Sequence, residues 1–130
     1  MRTKGAKNIG LRKAKARAWN QFSLYIRRRD GFKCVTCGRT YPENQRGGIQ
    51  GGHFVAGRHN SILFDERNCH AQCYGCNVMK RGAPTQYWLF MEQKYGRAVI
   101  DELIFLDSQT KQMKEADFQE IYEKYKKLNT

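Results

Sequence analysis

The chain has 130 residues, 40% of them hydrophobic, and a formal net charge of +12. That length is ordinary for one domain, and so modest a core gains from a structural metal. No apolar run is long enough to cross a membrane, and no apolar stretch follows the basic N-terminus as a signal peptide requires, so a cytoplasmic, reducing setting is expected.

Charge is unevenly spread. Residues 1–33 carry 11 Lys/Arg against Asp30 alone, a net of +10; residues 34–83 carry six against three, +3; residues 84–130 carry seven against eight, −1. A basic head suits a solubilising or membrane-surface role, but most simply it points to nucleic acid. Residues 1–10 (MRTKGAKNIG) are expected to form a flexible basic arm. From residue 11 to 29 the spacing of Trp19, Phe22 and Ile26 predicts a helix with one apolar stripe and a basic remainder. Arg27, Arg28 and Arg29 suit its C-terminus and are candidate phosphate contacts. Asp30-Gly31 reads as the stop.

Residues 32–83 have little clean periodicity, and short strands are expected at 49–55 and around 62–64. Beyond them, Pro84 suits a first helical turn. Tyr87, Met91 and Tyr95 predict a helix ended by Gly96; Val99, Leu103 and Leu106 predict a second. Phe118, Ile121, Tyr122, Tyr125 and Leu128 predict a third with a wide apolar face. Such aromatic stripes are usually core or interface. Residues 11–83 are thus read as a metal-bound core carrying the basic helix, and 84–130 as a helical extension of the same compact unit.

Five cysteines in a reducing setting suggest metal before disulfides. Cys34 and Cys37 (CVTCG) and Cys73 and Cys76 (CYGCN) form two Cys-x-x-Cys turns, the donor set of a tetrahedral structural zinc. A redox pair would need a thioredoxin-like context that the pattern lacks. Cys69 reads as a small buried filler. A plain zinc ribbon separates its pairs by about 12–20 residues. Here 35 residues intervene, and they hold His53, His59, Asp65, Asn68 and His70, a set suited to a functional site beside the staple.

Phosphodiester hydrolysis needs a base to activate water, a cation to stabilise developing charge, and a group that holds the base in place. His53 and Asn77 can serve as base and cation ligand if the zinc turns join their segments. Asn77 directly follows a zinc cysteine. Lys80, about one turn further on, could meet a phosphate.

The order of "GGHF", Asn68 five residues before Cys73, and "CYGCN" resembles the HNH, or ββα-metal, nuclease motif. The run "GHFVAGRHNSILFDERNCHAQCYGCN" is similar to the phage NinG (Rap) recombination endonucleases, over about residues 30–83 and more loosely in the helical tail. The resemblance implies an α+β fold: a zinc-stapled ββα-metal core with a basic N-terminal helix and C-terminal helices. It implies His53 as general base, Asn68 as the middle structural residue and Asn77 as ligand of a catalytic Mg²⁺ or Mn²⁺. The implied substrate is branched DNA, such as Holliday junctions and D-loops in phage recombination. A homodimer through the C-terminal helices would suit symmetric cutting.

One position departs from the motif. Many HNH nucleases carry Asp before the base histidine as a metal ligand, where this chain has Gly52. Either another residue supplies that ligand, with His70 first, then Asp65, and His59 also a candidate, or Asn77, a backbone carbonyl, waters and the DNA phosphate hold the ion. Arg58, His59, Arg67, Lys80 and Arg81 would surround the site and position phosphates without reading base edges. Two other readings compete with the nuclease: a non-catalytic zinc module that binds nucleic acid, favoured by Gly52, and an interaction protein using the aromatic helices at 87–128.

Overall fold

The computed structural model describes residues 4–130, with side chains from residue 10 onward. The first three residues of the expected arm lie outside the described residues. The element order is α1 (Lys4–Arg29), β1 (Ile49–His53), α2 (Asn60–Leu63), β2 (Cys69–Cys73), a π-helical turn (Gly75–Met79), α3 (Pro84–Tyr95), α4 (Arg97–Asp107) and α5 (Glu115–Leu128). The fold is therefore α+β, with one two-stranded sheet. No helix among the described residues is long and apolar enough to cross a membrane.

Two compact units emerge. The first holds residues up to Tyr25 with Gln112–Thr130; the second holds Ile26–Lys111. α1 begins at Lys4, not at residue 11, so residues 4–10 are helical where an arm was expected. Apolar spacing cannot mark a helix start that carries little apolar content. The three arginines of the last turn complement the C-terminal end of the helix dipole.

In the first unit Phe22 is fully buried and meets Tyr125 edge-on, ring centroids 5.0 Å apart. Phe118 is also buried, and the Arg17 guanidinium lies 4.3 Å from the Tyr122 ring centre. The aromatic face of α5 is thus largely core. α5 starts where Asp117 Oδ2 accepts the Lys114 N–H at 2.8 Å. Acids fill its first turn and lysines its last, as the helix dipole favours.

In the second unit β1 and β2 run antiparallel, with Ile49 opposite Cys73 and His53 opposite Cys69. The second strand lies at 69–73, and the expected strand around 62–64 is instead the end of the short helix α2. Ile62 and Leu63 are buried there, and a three-residue apolar run has no period that separates strand from helix. β2 is buried along its whole length. Its outer edge is covered: Asp30 Oδ2 accepts the Ala71 N–H (2.8 Å), Val35 N–H donates to the Ala71 carbonyl (2.9 Å), and Arg29 donates to the Cys69 carbonyl (2.9 Å). These bonds take up the Ala71 groups that would otherwise be open to another strand. Helices α3 and α4 add a second cluster built on Tyr87, Met91, Ile100 and Leu103.

Candidate functional site

The four cysteines of the two Cys-x-x-Cys turns converge. Their sulfurs all lie within 4.8 Å of one another, and the Cys37 and Cys73 sulfurs are 3.7 Å apart. A tetrahedron with Zn–S bonds of about 2.3 Å has edges of about 3.8 Å. The spacing fits one zinc ion, and all four are free thiols rather than disulfides. Gly38, at φ +81°, turns the first knuckle in a conformation open mainly to glycine; its N–H donates to the Cys34 carbonyl at 2.8 Å.

The thiols are electrostatically uneven. Burial opposes ionisation of Cys34, but hydrogen bonds from Thr36 and nearby backbone outweigh it and bring the thiol down to about 6. Burial pushes Cys76 up to about 12. One thiolate is thus favoured by the protein alone, and a cation supplies the charge that ionises the remainder. Cys69 is fully buried at the far end of β2, its thiol pushed up to about 12 by burial. It is an inert filler beside the cluster.

His53 closes β1. Its Nε2 lies 3.1 Å from the Leu63 carbonyl oxygen. A carbonyl only accepts, so Nε2 carries the proton in the neutral ring and Nδ1 carries the lone pair. Burial lowers the His53 pKa; the Leu63 bond partly offsets this, and Arg58 adds to it. Asn68 is fully buried, directly before β2. Its Oδ1 accepts the Val55 N–H (2.8 Å), its Nδ2 donates to the Val55 carbonyl (3.1 Å), and its own carbonyl accepts the Phe54 N–H (2.8 Å). The two residues after His53 are therefore clamped by one amide.

Asn77 lies in the π-turn that follows β2, next to Cys76. Its Nδ2 donates to Gln50 Oε1 at 2.8 Å. A Cβ placed on Gly52 would stand 3.0 Å from Asn77 Oδ1 and would collide with Gln72 Oε1. The Gln72 amide thus occupies the space that a side chain at position 52 would need, and a larger residue there would have to displace it.

His70, the leading candidate for the missing metal ligand, belongs to the core. Tyr87 donates its hydroxyl proton to the Gly52 carbonyl (2.7 Å). The Tyr87 oxygen must then accept from His70 Nδ1 (3.1 Å), leaving His70 Nε2 to accept from Tyr95 (2.9 Å). Both ring nitrogens are used, and the ring is fully buried. Burial and the nearby Arg29 charge lower its pKa to about 3. Asp65 is likewise committed: its oxygens take three bonds from Arg67, which holds its carboxyl below the usual range against the effect of burial. His59 Nδ1 pairs with Asp107 at 2.7 Å.

The proposed DNA contacts divide. Arg29 bonds Asp30 and the carbonyls of Glu66 and Cys69, and Arg67 bonds Asp65 and Glu102. Both arginines thus have partners within the protein. Arg28 pairs with Glu43, and Arg27 is half-buried, with its pKa lowered by burial. Arg58, Lys80 and Arg81 are exposed, the latter two directly after the π-turn. Gln72, which bonds to Gly82 and Thr36, was missed in the sequence, because the strand at 69–73 that buries it was itself not expected.

Comparison with known proteins identifies a family. A family profile described as "Bacteriophage Lambda NinG protein" matches residues 2–129. "Protein ninG" of Salmonella phage P22 is 34% identical over 83 residues, covering 62% of this chain and 39% of that protein. "Protein ninG" of Escherichia phage lambda is 31% identical over 83 residues, with the same coverage. The matched stretch thus spans about two fifths of these relatives' length. No solved structure matches. The chain belongs to the family of the bacteriophage lambda NinG protein.

Proposed function

We propose that this chain is a divalent-metal-dependent DNA endonuclease of the HNH type, acting on branched recombination intermediates such as Holliday junctions and D-loops. The observation that carries the reading is the tautomer of His53: Nε2 is tied to the Leu63 carbonyl, so the neutral ring carries its lone pair on Nδ1. Two antiparallel strands followed by a helical turn, with His53 ending the first and Asn77 in the turn, have the order the ββα-metal motif requires.

In this mechanism His53 Nδ1 takes a proton from water, which attacks phosphorus in line with the leaving 3′ oxygen. Its lowered pKa keeps the base neutral near pH 7. Asn68 holds residues 54–55, and so the position of the His53 ring, through the Val55 backbone. Asn77 Oδ1 would hold a Mg²⁺ or Mn²⁺ ion, which when bound offsets charge on the phosphate and leaving oxygen. Lys80 and Arg81 supply exposed charge for the DNA backbone beside that site. A zinc ion held by Cys34, Cys37, Cys73 and Cys76 would tie the first knuckle to the β2–π-turn segment that carries Asn77. Preference for branched substrates rests on the family resemblance, as does action as a homodimer.

A non-catalytic zinc module that binds nucleic acid is the competing reading, and Gly52 in place of a carboxylate favours it. The deciding experiment compares wild type and His53→Ala on labelled four-way junction, D-loop and linear duplex, with Mg²⁺ or Mn²⁺ against EDTA. The nuclease reading requires metal-dependent cutting by the wild type and binding without cutting by the variant. Binding without cutting by both, with zinc retained, establishes the module.

A further inference from the structure

Gln72, the next-to-last residue of β2, is fully buried. Its Nε2 donates to the Gly82 carbonyl (2.9 Å) and to Thr36 Oγ1 (3.2 Å). The Gly82 carbonyl only accepts, so the orientation of the amide is fixed and Oε1 must face the other way. There Oε1 is buried and has no hydrogen-bond partner. Leaving a buried carbonyl unsatisfied is unfavourable, and Gln72 is held in this pose by a loop that is itself strained. Arg81, Gly82 and Ala83 are three consecutive residues with left-handed backbone.

The orphan oxygen faces the space above Gly52. A Cβ on Gly52 would collide with it and would stand 3.0 Å from Asn77 Oδ1. Asn77 is oriented too, since its Nδ2 is bonded to Gln50. Two amide oxygens, from β2 and from the π-turn, therefore stand together over Gly52, where no side chain comes between them. Amide oxygens are hard donors, suited to Mg²⁺ or Mn²⁺ rather than to zinc.

We propose that Gln72 Oε1 is the protein ligand that replaces the missing carboxylate at Gly52, and that with Asn77 Oδ1 it seats the catalytic cation. This rests on the nuclease reading above and names a residue that reading lacked. Both ligands are neutral, so the free protein holds the cation weakly, and the DNA phosphate supplies the negative charge that completes the seat. Metal and substrate then bind together, each tightening the other.

The test is Mn²⁺ titration of zinc-loaded protein followed by electron paramagnetic resonance, with zinc content and thermal unfolding as controls. Gln72→Glu and Gln72→Met both delete the Nε2 donor, so a purely structural Gln72 predicts the same effect from each. A ligand predicts opposite effects: Gln72→Glu, with a charged oxygen, tightens Mn²⁺ by about ten-fold or more, and Gln72→Met weakens it by a similar factor. Gly52→Ala, which displaces Oε1 while keeping the Gln72 side chain, weakens Mn²⁺ as Gln72→Met does and serves if either Gln72 variant fails to fold. Equal Mn²⁺ affinity in all three and in wild type overturns the proposal. If Asn77→Ala alone loses Mn²⁺, the nuclease reading stands and Gln72 is not a ligand. If neither wild type nor Gln72→Glu binds Mn²⁺ with or without junction DNA, the metal-dependent reading falls as well.

Discussion

Asn68 grips Val55 at both ends of its peptide-like side chain, accepting the Val55 N–H at 2.8 Å and donating to the Val55 carbonyl at 3.1 Å. The amide imitates one rung of a β-ladder just past the point where β1 stops pairing. Asn68→Ala strands two backbone groups in a part-buried site and should cost about 1–3 kcal/mol in denaturant unfolding. Asn68→Asp should not rescue it, because the carboxylate keeps the acceptor but puts an oxygen against the Val55 carbonyl. Cleavage should fall in both variants while junction binding persists. Wild-type cleavage by Asn68→Asp would show that the clamp does not position His53.

The role of His53 predicts an acid limb in the rate profile. The base works only when neutral, and burial lowers its pKa below 6.5. Cleavage should therefore fall along an acid limb centred below pH 6.5. His53→Ala should lower kcat by about 10²–10⁴-fold with little change in DNA affinity. A limb centred above pH 6.5 would contradict a buried base.

His70 predicts a stability effect of definite sign. Its ordinary value is 6.5, and burial brings it to about 3 in the folded protein. The unfolded chain binds this proton first, so stability is full above pH 6.5 and is lost as pH falls toward 3. The slope in that window is roughly 1.4 kcal/mol per pH unit for one group. His70→Gln can keep both tyrosine bonds and does not titrate there. Denaturant unfolding at several pH values should give the variant a shallower acid slope than wild type, and identical slopes would mean that His70 is charged in the fold.

Much of the helical architecture was legible because burial there follows a period. Tyr87 and Met91, Leu103, and Phe118 and Tyr125 are buried as their spacing predicted, and Pro84 opens α3 as its missing N–H allows. The four-cysteine cluster was legible because paired ligands on short turns have one common use. The second strand was not: β2 is buried throughout, so it has no alternation, and its register is held by zinc-site and Asp30 contacts made across long sequence separations. Histidine roles were the least legible. His70 and His53 both sit near the motif, but which ring meets two tyrosines and which the Leu63 carbonyl depends on the strand's face, and a sequence shows that only once the register is known.

Zinc should be separable from every other thiol. Native mass spectrometry should find one Zn²⁺ per chain. Cys34→Ser, Cys73→Ser and Cys76→Ser should lose it together with cooperative unfolding, because the binding free energy is folding free energy. Cys69→Ala should keep full zinc content, since its buried sulfur lies outside the cluster. Zinc loss in Cys69→Ala would mean that the cluster depends on β2 packing more than on its four sulfurs.

Framework and surface cations should separate in a salt titration. Lys80 is exposed at the end of the π-turn, whereas Arg29 bonds Asp30, Glu66 and Cys69. A phosphate contact contributes about one unit to the slope of log affinity against log salt. Lys80→Gln should reduce the magnitude of that slope by about one unit without moving the unfolding midpoint. Arg29→Lys cannot reproduce a fork that reaches a carboxylate and two carbonyls. It should lower stability by about 2–3 kcal/mol and leave the salt slope unchanged. If Arg29→Lys flattens the slope and spares the midpoint, the end of α1 faces DNA after all, and the bonds of Arg29 within the protein give way to phosphate on binding.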